Sequence, residues 1–321
     1  MEQNNLSASS EGLATPKISE SFKSTYQAYK ESFGFIGFVY LPLAILSVLG
    51  IFIPGVVGAV LLAVPGILSA LVTPGFISAV SKDFYPEAVS PYEKLKMLYK
   101  DGLKYIVPVV WIGILTGLCV IFGVMLFVVP GIWLSFILGY SIYVLIFDNK
   151  KGVEALAYSY IYARNNFWFI FKRLILLGVA LSVIGGIISG IFPPEKKLIS
   201  EISGDKSLVV SEEVKDNRYY KVIFGNEDPY TLVRQPGDEA LSAIFNNIFA
   251  VPFSMLFAIE IFKFLKKKNG ALATEEEVKK TKKKIKVFIW GGIFLPIAVL
   301  AGLAAIFGGT AISALRELLP L

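Results

Sequence analysis

The stretch YIVPVVWIGILTGLCVIFGVMLFVVPGIWLSFILGYSIYVLIF, Tyr105 to Phe147, runs for 43 residues without one charged side chain. A helix rises about 1.5 Å per residue and a hydrocarbon layer is about 30 Å thick, so a crossing takes roughly 20 residues. The stretch is too long for one crossing and right for two. In lipid every backbone N–H and C=O must be paired within its own segment, so each crossing is expected to be helical.

Comparable runs lie on both sides. Residues 34 to 53 and 56 to 80 form a pair before it, and Arg173 to Phe192 and about Ala240 to Leu265 form a pair after it. Val287 to Phe307 makes a seventh span, ending at Gly308 and Gly309; a re-entrant segment broken at those glycines is the alternative. Composition agrees, because 55% hydrophobic against 17% charged residues is too apolar for a surface in water. The first apolar run follows 33 polar, mixed-charge residues, so a cleaved signal peptide is not expected.

Lysine and arginine set the expected orientation, since positive loops near helix ends stay cytoplasmic. With the N-terminus inside, residues 1–33, 81–104, 148–173 and 263–286 are cytoplasmic and hold 23 of the 31 basic residues. The segment Lys263 to Lys286 has ten lysines against three glutamates, whereas Pro193 to Asp238 holds seven basic and nine acidic groups. The second segment is therefore expected outside. Its runs Ser207 to Val210, Tyr219 to Phe224 and Tyr230 to Val233, separated by turn residues, read as strands of a small β-structured cap.

A unit repeats along the chain. Setting Lys30 against Lys100 and Arg164 aligns Glu31, Asp101 and Asn165, then Ser32, Gly102 and Asn166, then Phe33, Leu103 and Phe167. Each match precedes an odd-numbered span, and the following span carries a Val-Pro step ending at Pro65, Pro130 or Pro252. Residues 19–33, 90–104 and 153–167 mix aromatic and charged residues at helical spacing, so they are expected as interfacial amphipathic helices. The expected fold is an all-α integral membrane protein of about seven transmembrane helices in three hairpin repeats, with a small extracytoplasmic β-containing insertion. The expected domains are a disordered tail at 1–18, a membrane domain at 19–268 with the insertion at 193–238, and a basic segment with an added span at 269–321.

Val129 to Leu174 also carries a likeness. Val129, Pro130, Gly131, Ile132 and Trp133 open a span, followed by Gly152, Val153, Glu154, Ala155 and Leu156, then Ser159 and Tyr160, then Asn166, Phe167 and Trp168. This resembles the membrane domain that accompanies glycerophosphoryl diester phosphodiesterase barrels in some bacterial proteins, and related six-span membrane proteins of unknown function. The resemblance covers about Ser19 to Lys268 and implies a membrane module without the hydrolytic barrel. The chain departs from it at Ile137, where relatives often have a basic residue, in some 46 extra residues between spans five and six, and in the seventh span.

Chemistry is sparse. With no histidine and one cysteine, Cys119, internal disulfides, Ser-His or Cys-His catalysis and the usual zinc sites are excluded by count, and no cofactor or metal pattern is found. The polar candidates within spans are Asn246, Asn247 and Glu260; Glu260 stands three residues before Lys263, an ion-pair spacing. Pro65, Pro130 and Pro252 are candidates to kink or hinge their spans. Gly178, Ser182 and Gly186 recur every fourth residue, as do Gly113 and Gly117, a spacing expected to pack inside the bundle or, as the alternative, against a second copy. The lysine run lacks the base-reading groups of a nucleic-acid site and fits contact with anionic lipid instead. The leading expectation is a non-catalytic module of the cytoplasmic membrane organising lipid or partner proteins, a second copy included. A transporter for a lipid-like or small amphipathic substrate is the alternative.

Overall fold

The computed structural model of the chain describes residues 15–53, 55–83, 90–191, 195–198, 230–233 and 236–318. The helices are α1 (Ile18–Glu31), α2 (Phe33–Phe52), α3 (Gly55–Ser81), α4 (Pro91–Leu126), α5 (Val128–Leu138), α6 (Ser141–Asp148), α7 (Gly152–Ala163), α8 (Phe167–Ser189), α9 (Pro236–Phe245), α10 (Val251–Asn269) and α11 (Glu275–Leu318). A 3₁₀ turn, Arg164–Asn166, joins α7 to α8, and a π-helical turn, Asn246–Ala250, joins α9 to α10. Among the described residues seven helical stretches, some of them joined elements, are long and apolar enough to cross a membrane. The chain is thus an all-helical, multi-pass membrane protein in its main part.

Two compact units share the chain. The first takes Met1–Val39, Ile67–Leu177 and Pro252–Leu321. At its centre α4 turns back at Phe127 into α5, and α11 lies along α4. Helix α7 is held between α4, α5, α6 and α11, which leaves Ala155, Leu156, Ala157 and Ile161 with no exposed surface. Phe262 of α10 collects the rings of Tyr143, Phe147 and Tyr162, at centroid distances of 5.8, 5.4 and 6.2 Å. Such aromatic clusters add directional contacts to the dispersion that holds helices together in lipid. Helix α1 runs beside α10, with Phe22 4.9 Å from Phe257 and Tyr29 6.1 Å from Phe253.

The second unit takes Tyr40–Gly66 and Gly178–Val251. Here α2 meets α3 through a tight turn with Gly55 at φ +80°, a backbone conformation open to glycine. Of the insertion, the strands β1 (Glu195–Leu198) and β2 (Tyr230–Val233) are described, paired antiparallel with Glu195 opposite Val233. A four-residue, two-stranded ladder is far short of an independent fold. The expected strands Ser207–Val210 and Tyr219–Phe224 lie outside the described residues, as do residues 1–14 of the expected tail.

The structure corrects the expectation of three separate surface helices. Residues 90–104 are the opening turns of α4, one unbroken helix capped by the Ser90 hydroxyl, which accepts from the Glu93 N–H. They run antiparallel to the end of α3 at very close range: a Cβ at Gly75 or Gly102 would lie within 3.0 Å of the Leu98 or Leu71 carbonyl oxygen. The sequence between Ser90 and Phe127 holds no stop signal strong enough to end the helix, and the two glycines let it dock edge-on. Residues 153–167 fall in α7 and its turn, where burial on most sides replaces the expected one-sided contact. Only α1 is separate, ended at Ser32 before α2 begins. The aligned positions Ser32, Gly102 and Asn166 therefore mark a turn, a close helix crossing and a 3₁₀ turn. The helix α11 likewise fuses the lysine-rich segment to the last span and runs through Gly308 and Gly309 to Leu318.

Candidate functional site

The charged segments at the helix ends of the first unit are tied together. Asp148 accepts hydrogen bonds from Lys266 and, at 3.2 Å, from the Tyr162 hydroxyl. The Asn269 amide donates to the Tyr162 carbonyl and Lys268 donates to the Asn166 side chain at 3.1 Å. Arg164 pairs with Glu277 at 2.6 Å, and Glu154 pairs with Lys150 at 3.3 Å and Lys282 at 3.7 Å. The bond to Glu154 holds the Lys150 ammonium above the ordinary lysine value. Segments 148–166, 263–269 and 274–286 consequently lie on one side of the membrane, whichever side that is. The partly exposed pairs of Glu154 contribute about 0–1 kcal/mol each, so their weight is in alignment more than in stability.

Beside this belt lies a cleft of about 360 Å³, bordered by Ser21 and Ser24 of α1, Phe169 of α8, and Glu260, Lys263 and Lys267 of α10. Behind it sits Arg173, 4% exposed. Its Nε donates to the Ser21 hydroxyl at 3.3 Å, its Nη atoms donate to the Phe169 and Pro16 carbonyls, and its guanidinium stacks 3.6 Å from the Phe169 ring centroid. All of these acceptors are neutral. A guanidinium removed from water at high cost is normally paired with a carboxylate, and among the described residues none pairs with Arg173.

The residues singled out from sequence scatter. Glu260 lines the cleft and forms its expected pair with Lys263, at 3.6 Å. Asn246 is exposed, and Asn247 donates to the Ala243 carbonyl of its own helix at 2.9 Å. The three prolines do not share one role. Pro65 lies inside continuous helix α3, Pro130 stands in the first turn of α5, where its missing N–H has no helical acceptor to lose, and Pro252 follows the π turn in which Val251 donates to the Asn246 carbonyl. Pro130 is therefore a helix start and not a kink.

The small-residue stripe corrects the expectation of packing inside the bundle. Gly178, Ser182 and Gly186 are exposed, and none of the described residues lies within 4 Å of a Cβ built on Gly178, Gly186, Gly113 or Gly117. The close approaches fall elsewhere, at Gly75 and Gly102 between α3 and α4 and at Gly291 and Gly292 between α11 and α4. Spacing alone could not tell these sets apart, because a packing glycine needs only one opposing backbone. Replacing Gly186 by Ala is expected to hold or raise the unfolding temperature of the detergent-solubilised protein, since Ala favours a helix by about 1 kcal/mol over Gly. A fall of several degrees would show the stripe to be a packed face.

Sequence reasoning passed over Arg173 by counting it as a loop cation. The signal was present: Arg-Asn-Asn at 164–166 reads as a helix interruption, which starts α8 at Phe167 and puts Arg173 nearly two turns inside it, four residues after Phe169. Among the described residues no group of three His, Cys, Asp or Glu is arranged to hold a metal ion. Compared with known proteins, the chain matches no family model, no curated sequence and no solved structure.

Proposed function

We propose that the protein is a non-catalytic module of the cytoplasmic membrane, with its N-terminus inside, whose basic end organises lipid or a partner protein. The observation that carries this reading is the seating of the lysine run on α11. Val278, Thr281, Ile285 and Ile289 are buried at helical spacing, which turns Lys279, Lys280, Lys283, Lys284 and Lys286 outward. A rigid row of ammonium groups next to a membrane attracts anionic headgroups by about 1 kcal/mol per lysine. The likeness of Val129–Leu174 to membrane domains that accompany a separate enzyme fits a module of this kind.

Native mass spectrometry of the full chain, purified in mild detergent, tests the reading. A lipid or protein retained at fixed stoichiometry is expected, and its absence would overturn it. The alternative, a carrier for a lipid-like substrate, draws on the π turn ahead of Pro252, since such turns are weak points where helices bend at functional sites. Vesicles reconstituted with the protein would separate the two by net transfer of labelled lipid between leaflets.

Orientation has its own test. Cys119 is the only cysteine and is buried, so a Cys119→Ala background gives a blank for labelling. Cysteines placed at Lys17, Lys151 and Lys280 are expected to resist a membrane-impermeant maleimide in intact cells and to react after permeabilisation. Labelling of all three in intact cells would invert the topology.

A further inference from the structure

The cleft between α1, α8 and α10 has more cationic capacity than its own carboxylates use. The Glu20 side chain is turned to the start of α1, where it accepts from the Lys17 N–H at 2.8 Å. Glu260 is matched to Lys263 at 3.6 Å. Taking those pairs out leaves the exposed Lys267 ammonium, which has no ion-pair partner among the described residues, and the charge of Arg173. Ser21 links them. It is 8% exposed, lines the cleft, and its oxygen accepts from Arg173 while its hydroxyl proton has no acceptor among the described residues. A buried hydroxyl polarised by a guanidinium behind it, with its donor direction free, suits an anionic oxygen in front of it.

Depth points to the source of that anion. Lys263 and Lys267 alternate along α10 with Lys266 and Lys268, which join the belt of helix-end charges, so the cleft opens at the level where headgroups meet the basic side of the protein. A cleft of about 360 Å³ is within the range of small-ligand sites, about 300 to 1,000 Å³. The Phe169 and Phe264 rings on its wall give an acyl-glycerol backbone apolar surface beside the polar end. We propose that this cleft binds the headgroup phosphate of one glycerophospholipid, with Lys267 and Ser21 donating to its oxygens and Arg173 acting as the positioning residue for Ser21. The proposal deepens the lipid-organising reading given above and rests on it.

The test uses the full-length protein, delipidated in mild detergent and titrated with phosphatidylglycerol while bound lipid is counted by native mass spectrometry. Diglucosyl diacylglycerol, which has the same chains and no phosphate, and soluble sn-glycerol 3-phosphate are the comparison probes. One tightly held phosphatidylglycerol per chain is expected, weakened about tenfold in Lys267→Gln and in Ser21→Ala, while Lys279→Gln/Lys280→Gln/Lys283→Gln strips only loosely held lipid. Ser21→Ala removes one hydroxyl and leaves the helix former in place, so it keeps the test readable if an Arg173 variant fails to fold.

Equal retention of the glycolipid, or a tight lipid indifferent to both Lys267→Gln and Ser21→Ala, would overturn the cleft assignment and leave the lipid-organising reading standing. Glycerol 3-phosphate binding as tightly as the lipid would replace the membrane source with a soluble phosphate ester and so overturn it as well. If the wild-type chain retains neither lipid nor protein, the reading on which the proposal rests falls with it.

Discussion

Gly292→Leu is expected to destabilise the folded protein strongly, and Gly102→Leu to behave alike. A Cβ at Gly292 would sit within 3.0 Å of the Leu118 carbonyl oxygen on α4, and at Gly102 within 3.0 Å of the Leu71 carbonyl oxygen on α3. In both cases the obstacle is backbone, which cannot swing aside as a side-chain end can. Overpacking a filled contact costs typically about 1–3 kcal/mol, and the extra branch of Leu pushes towards the upper end. The helix must slide or tilt, and α4 is packed along α11 and α5 and crosses α3 closely at Gly75 and Gly102. Thermal unfolding in detergent is expected to drop by roughly 5–10 °C. The sign is diagnostic, because Gly→Leu inside an uncrowded helix would stabilise it. An unchanged midpoint would show that the helices do not cross at these points.

The contrast with Gly186 shows what sequence patterning carries and what it leaves out. The spans could be read because each is a one-dimensional property: enough consecutive apolar residues to satisfy a length set by the bilayer. Orientation rests on a similar sum over loops, and the ion pairs of Asp148, Glu154 and Arg164 with α10 and α11 agree with it in placing three basic segments on one side. Pairwise geometry is different. Gly102 lies outside any small-residue repeat, yet it makes one of the tightest contacts, while on the regular stripe of α8 a Cβ at Gly178 or Gly186 would meet none of the described residues within 4 Å. The same limit hid the cleft. Ser21 and Arg173 are 152 residues apart in the chain, and each alone looks like an ordinary helix-end polar residue. Glu260 was legible as the partner of Lys263, but its place on a cleft wall depends on α1 folding back along α10, which no local pattern announces.

Asp148 and Lys266 are expected to be coupled, and unequally. The Asp148 side chain is 10% exposed and that of Lys266 is 43% exposed. Removing the lysine, as in Lys266→Met, strands a buried carboxylate whose remaining neighbour, the Tyr162 hydroxyl, offers one neutral hydrogen bond. That should cost on the order of 1–3 kcal/mol, the penalty for leaving a buried polar group short of partners. Removing the charge from the other end, as in Asp148→Asn, leaves an ammonium that can turn to water on its flexible stem, so the loss should be about 1 kcal/mol or less. The amide still accepts from Tyr162, which keeps α6 joined to α7. Combining the two takes away the stranded charge, so the double variant should be less destabilised than the sum of the singles. Thermal unfolding of the four proteins measures this. Equal losses for the two singles, adding fully in the double, would mean that the pair is solvated and that alignment of α6 with α10 depends on Phe262 and its surrounding rings alone.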